Sequence, residues 1–187
     1  MSSHLDYEIN KELGECYLFM GDLDKAEEYY RKAAGSNGKH PDPYLGLATI
    51  AVQRNDLDTA HTLYRKAADI DPDDKSLSGM ALVEMERGEH ENAFDNFEGA
   101  LKKNPENLIA IYCMVQLGHV LGRLPQVVGY LEDYLSIDPM KSDVRFALAG
   151  CLQSMGQVDT AITHLESVLE NDPGHEASKE LLDTIRS

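Results

Sequence analysis

An all-α chain of about five stacked helical hairpins and a C-terminal capping helix is predicted by two markers that recur together. Asp or Asn precedes Pro at Asp71-Pro72, Asn104-Pro105, Asp138-Pro139 and Asp172-Pro173, at intervals of 33, 34 and 34 residues. Gly21, Asn55, Gly88, Gly122 and Gly156 keep the same beat, at 34, 33, 34 and 34. Self-similarity at this period is the signature of a solenoid of helical hairpins.

The chemistry of the markers explains the geometry. A Pro ring pushes the preceding residue out of the α region, so each Asp-Pro or Asn-Pro closes one hairpin and opens the next. The Gly or Asn falls between the two helices of a hairpin, where the residue just past a helix end often needs positive φ. Ala follows at a constant offset at Ala26, Ala60, Ala93 and Ala161, then a bulky residue at Tyr30, Tyr64, Phe97 and Leu165. Ala33, Ala67, Ala100 and Val168 come three residues later. Steps of four and three keep these side chains on one helical face, small where backbones approach and large where a gap is filled.

Each hairpin can be placed in order. The first spans about 7–40 and carries Leu13, Gly14, Tyr17, Gly21, Ala26, Tyr30 and Ala33, with Gly38 where the others have Pro. The second, 41–74, is the most regular, with Tyr44, Leu47, Ala48, Ala51, Ala60, Tyr64, Ala67 and Pro72. The third, 74–107, is one residue short, which leaves two alignments open for its first helix around Leu77 to Glu86. The fourth, 108–141, enlarges small positions to Val115, Val127 and Tyr134 and holds Gly118 and Gly129 inside helices, each costing about 1 kcal/mol relative to Ala. Pro125 falls near a helix start, where its missing N–H costs nothing. The fifth, 142–175, carries Leu148, Ala149, Leu152, Gly156, Ala161, Leu165 and Pro173, and residues 176–187 put Leu181, Leu182 and Ile185 on one stripe as a cap. A single domain over 1–187 is the expected organisation.

These residues resemble the tetratricopeptide repeat family, and the resemblance covers nearly the whole chain. It implies a right-handed α-solenoid and a non-enzymatic scaffold or adaptor that binds a protein or peptide segment along a concave groove made by first helices. Carried over position by position, the groove would comprise Leu45, Thr49, Gln53, Leu82, Tyr112, Gln116, His119, Phe146 and Gln153. Lys11, Glu12, Glu15, Ser78 and Gly150 would also face it. Aromatic anchors beside amides suit a segment gripped by stacking and backbone hydrogen bonds. The carboxylate clamp that some family members use for chaperone tails is not matched. Lys11 and Lys75 fit it, but Glu15, Gly46 and Gly79 occupy the remaining positions, and Glu15 would repel a carboxylate.

A formal charge of −16 and a pI near 4.7 oppose binding to nucleic acid or anionic membranes, which select Lys and Arg. Leu108 to Gly122 carries no formal charge, yet fifteen residues fall short of the roughly 20 needed to span a bilayer. It reads as a sandwiched core helix, with a sticky groove or self-association face as the alternative, so no membrane insertion is expected. The start of the chain lacks a basic region and apolar core typical of a secretory signal. Cys16, Cys113 and Cys151 show no paired spacing, which suits packed thiols in a reducing, cytoplasmic setting.

No catalytic, cofactor-binding or metal site is expected. The seven histidines are scattered, without metal-ligand spacing, and His61 and His164 fall on second helices, where polar residues face solvent. Cys113 and His119, six residues apart, lie on different faces of one helix. No glycine-rich phosphate cradle is present.

Overall fold

A computed structural model describes residues 2–36 and 38–187 of the chain. Among the described residues there are eleven α-helices and no strand. The chain forms two compact units, Met1–Lys103 and Asn104–Ser187.

The first unit holds α1 (Ser2–Phe19), α2 (Leu23–Ser36), α3 (Asp42–Gln53), α4 (Leu57–Ile70), α5 (Asp74–Glu86) and α6 (His90–Lys103). Consecutive helices pair as hairpins, and α1, α3 and α5 are neighbours in a row. The second unit holds α7 (Leu108–Leu121), α8 (Leu124–Ile137), α9 (Ser142–Ser154), α10 (Val158–Asn171) and α11 (Glu176–Arg186). Here α7 pairs with α8 and touches α9, α9 pairs with α10, and α11 closes against α10.

Both periodic markers act as expected. Asn55 has φ 59°, and Gly21, Gly88, Gly122 and Gly156 have φ between 68° and 78°, turning the chain between the helices of each hairpin. Helix starts are capped locally: Asp56 accepts from the Thr59 N–H, Asp73 from that of Ser76 and Asn107 from that of Ala110. Pro125 lies in the first turn of α8. Arg54 and Arg87, each at the end of a first helix, reach back to the preceding second helix. Arg54 pairs with Asp24 and Glu27, and Arg87 with Asp58 and the Leu57 carbonyl. Exposed pairs of this kind contribute little to stability, because water and salt screen them.

The core follows the small–large–small pattern. Ala26, Ala33, Ala60, Ala67, Ala93, Ala100 and Ala161 are fully buried. Tyr30 packs with Ala26 and Ile50, bordered by Tyr17, Leu18, Leu23 and Leu47. Ala51, Ala60 and Val83 form a second cluster, bordered by Leu57, Leu63 and Tyr64. In the second unit the core is built from Ile111, Met114, Leu117, Leu131, Leu148 and Leu165, each no more than 1% exposed. Gly118 has a packing reason for lacking a side chain, since a Cβ there would collide with Val127.

Two expectations fail here. His61 does not face solvent; it is 8% exposed, and its Nε2 lies 3.1 Å from Oε1 of the buried Glu84. Its rotation toward α5 places a polar pair inside the unit, and Asn96 donates to the other Glu84 oxygen at 2.7 Å. Cys16 is not a packed thiol. It is exposed on α1, whereas Cys113 is half-buried and Cys151 buried. Among the described residues no helix is long and apolar enough to cross a membrane.

Candidate functional site

The second unit positions a groove along α7 and α9. Helix α7 buries Ala110, Ile111, Met114 and Leu117 on one side, so the 3.6-residue period turns Ile109, Tyr112, Gln116 and Val120 outward. Helix α9 buries Val144, Leu148, Ala149, Cys151 and Leu152, which leaves Asp143, Gln153 and Ser154 exposed and Phe146 half-buried. Between these exposed faces lies a groove of about 690 Å³.

Its walls are mainly apolar. Tyr112 and Val115 come from α7, Phe146 and Ala147 from α9, and Leu181 from α11. Gly150 and Cys151 contribute to it midway along α9, while His119, Gln153 and Ser154 supply polar groups and Asp143 the single formal charge. A Cβ added at Gly150 would meet no atom within 4 Å, so the groove is open above that glycine. The Phe146 ring is braced by His175, with centroids 5.3 Å apart at a 48° tilt. His175 also caps α11 through Nδ1, which accepts from the Ser178 N–H at 3.2 Å, so the ring proton sits on Nε2, 3.4 Å from Asp143 Oδ1.

The electrostatics suit binding rather than covalent chemistry. Burial, and then the nearby Asp143 carboxylate, raises the Tyr112 hydroxyl above its ordinary value. Burial pushes the Cys151 thiol up to about 11, so it stays protonated near neutral pH and is a poor nucleophile. Among the described residues no group of three His, Cys, Asp or Glu side chains could hold a metal ion.

The structure brings together Tyr112, His119, Phe146 and Gln153 of the residues expected in a groove. Gln116 is exposed on α7 but does not line it. Leu82, 39% exposed, lines a separate recess of about 320 Å³ in the first unit with Val52, Leu57, Tyr64 and Gly79. Leu45, Thr49 and Gln53 line neither. Thr49 turns its hydroxyl back onto the Leu45 carbonyl at 3.0 Å, while Leu45 is half-buried and Gln53 exposed.

Sequence reasoning missed Asp143, His175 and Leu181. Asp143 was detectable, since it lies three residues before Phe146 and so shares its helical face. The contributions of His175 and Leu181 had no local signal, because they depend on where the capping segment docks.

The tetratricopeptide repeat pattern matches residues 20–82 and 121–185, more than half of the chain. The BBSome complex member BBS4 of Bos taurus is 32% identical over 107 residues, which is 57% of this chain and 20% of that protein. The chain thus spans about a fifth of that relative's length. Among solved structures, YrrB, a tetratricopeptide protein with an unusual peptide-binding site, is 26% identical with a TM-score of 0.70, over 86% of this chain and 83% of YrrB. The MamA protein shares the fold with a TM-score of 0.73 at 18% identity, over 90% of this chain and 92% of MamA. The chain belongs to the tetratricopeptide repeat family, whose fold is a protein–protein interaction module.

Proposed function

We propose that this tetratricopeptide repeat protein is a non-enzymatic scaffold or adaptor whose groove along α7 and α9 holds a peptide segment or helix of a partner protein. The observation that carries this reading is Gly150. A glycine inside a helix costs about 1 kcal/mol relative to Ala. Gly14, Gly46, Gly79 and Gly118 each have a packing reason, because a Cβ at any of them would strike a neighbouring side chain. Gly150, like Gly35 and Gly129, has none, but of these three it is the one that lines the groove, between Phe146 and Gln153. Lack of a side chain there lets a bound backbone approach the helix closely. Tyr112, 41% exposed, and Phe146 supply aromatic anchors beside it. The peptide-binding site of YrrB, at 26% identity, accords with this reading.

The test compares partner capture by the wild type, the Tyr112→Glu, Phe146→Glu double variant and Gly150→Leu. Partners lost from both variants while helical circular dichroism is unchanged support the groove; the same partners on all three baits refute it.

A second reading, self-association through the fourth repeat, is favoured by Ile109 and Val120 on α7, 56% and 59% exposed. Light scattering decides it: mass rising with concentration supports it, and a constant 20.8 kDa monomer removes it.

A further inference from the structure

We propose that the groove selects a short extended segment carrying a Lys or Arg next to a bulky apolar residue, with the basic group at Asp143 and the apolar one against Tyr112 and Phe146. This rests on the peptide-groove reading above and adds the chemistry of the occupant.

The groove residues have an order along α9. Asp143 stands in the first turn, Phe146 one turn later, Ala147 and Gly150 next, and Gln153 and Ser154 at the far end. Tyr112 is the fifth residue of α7, as Phe146 is of α9. Asp143 and Tyr112 both line the groove from the first two turns of α9 and α7, which sets carboxylate and aromatic ring at one end. At about 1.5 Å per residue, Asp143 to Gln153 covers roughly 15 Å of helix. An extended chain at about 3.3 Å per residue fills that with four or five residues. The small Ala147 and open Gly150 leave room for its backbone, and Gln153 and Ser154 can hydrogen-bond it.

The sign of the charge follows from what lines the groove. Asp143 is its single charged residue, and its side chain is 67% exposed. His175 Nε2 faces only Oδ1, at 3.4 Å, so the carboxylate retains acceptor capacity toward the groove. Among the described residues no Lys or Arg lines it. Residues 104–187 carry 12 acidic and 5 basic side chains. Of the basic ones, Lys179 pairs with Glu176, Arg186 with Glu166, and Arg145 donates to the Pro139 carbonyl. An acidic segment therefore meets repulsion, whereas a guanidinium can fork onto the carboxylate and stack on the Tyr112 ring.

A phage-displayed library of random seven-residue peptides, selected on the full chain, tests this. The selected peptides are then measured on wild type, Asp143→Asn and Gly150→Leu. The expected result is enrichment of Lys or Arg beside Leu, Phe or Tyr, with binding about tenfold weaker on Asp143→Asn and abolished by Gly150→Leu. Peptides that Gly150→Leu excludes but that lack a basic residue, or that ignore Asp143→Asn, overturn the charge assignment and leave the groove standing. Peptides insensitive to Gly150→Leu overturn both. Absence of any selected peptide, together with a dimer that Gly150→Leu converts to monomer, overturns the proposal in favour of a second copy as occupant. Asp143→Asn alters an exposed side chain, so its readout does not depend on core packing.

Discussion

The Tyr30 ring of α2 occupies the volume that a Cβ on Gly46 of α3 would need, and Tyr64 of α4 does the same to Gly79 of α5. Large and small residues in adjoining hairpins thus form a ring-in-slot contact that occurs twice, between the first and second hairpins and between the second and third. Gly46 and Gly79 are also two of the positions that break the carboxylate-clamp pattern. Their lack of side chain serves this internal packing.

Gly46→Ala is expected to destabilise the chain by about 1–2 kcal/mol, because overpacking a buried ring outweighs the gain in helix propensity. At roughly 2–4 °C per kcal/mol for a chain of this size, thermal denaturation resolves it. Gly150→Ala is expected to leave the midpoint unchanged or raise it, since its Cβ enters open space. Equal losses at both positions would remove the distinction on which the groove reading depends.

Glu84 joins three helices by accepting from Asn96 on one oxygen and facing His61 on the other, with Arg65 3.5 Å from the second ring nitrogen of His61. Glu84→Ala takes the shared acceptor from the buried His61 and the half-buried Asn96 and is expected to cost about 2–3 kcal/mol in urea unfolding. Glu84→Gln, which keeps one acceptor, should cost less. A loss below about 0.5 kcal/mol for Glu84→Ala would show that the network contributes little to stability.

His164 is held below its ordinary value of 6.5, first by burial and then by the Arg145 guanidinium. The unfolded chain therefore takes up this proton more readily than the folded one. Stability from this site is complete above about pH 6.5, falls as pH drops through that value, and levels off below the lower folded value. The urea midpoint of His164→Gln should fall less than that of the wild type between pH 7.5 and 5. Parallel curves would exclude the site as a contributor.

Thiol labelling should separate the three cysteines. Cys16 is exposed, burial raises the Cys113 thiol, and burial pushes Cys151 up to about 11. At pH 8 about one Cys151 in a thousand is thiolate, by the ordinary relation between pKa and pH. Iodoacetamide followed by mass spectrometry should modify Cys16 first and Cys151 only after unfolding. Early labelling of Cys151 would show that the groove opens through its floor.

The hairpin plan was legible from the chain alone because its determinants are local. An Asp-Pro or Asn-Pro pair blocks a helix through neighbouring atoms. The turn at Asn55 or Gly88 needs positive φ whatever surrounds it. The recurring Ala positions were likewise legible as buried, since a period of 3.6 fixes which residues share a face. Tyr112, His119, Phe146 and Gln153 could be assigned to first helices for the same reason.

What the tertiary structure alone decided is which of those faces meet. Leu45, Thr49 and Gln53 occupy equivalent positions on α3, yet they do not line the first unit's recess, which Leu82 shares with Val52. The burial of His61 with Glu84 and the bracing of Phe146 by His175 join residues 23 and 29 apart in the chain. Such contacts depend on the rotation of one helix against another and on where the capping segment docks. Those quantities are set by the fit of many side chains together, and no short stretch of sequence contains them.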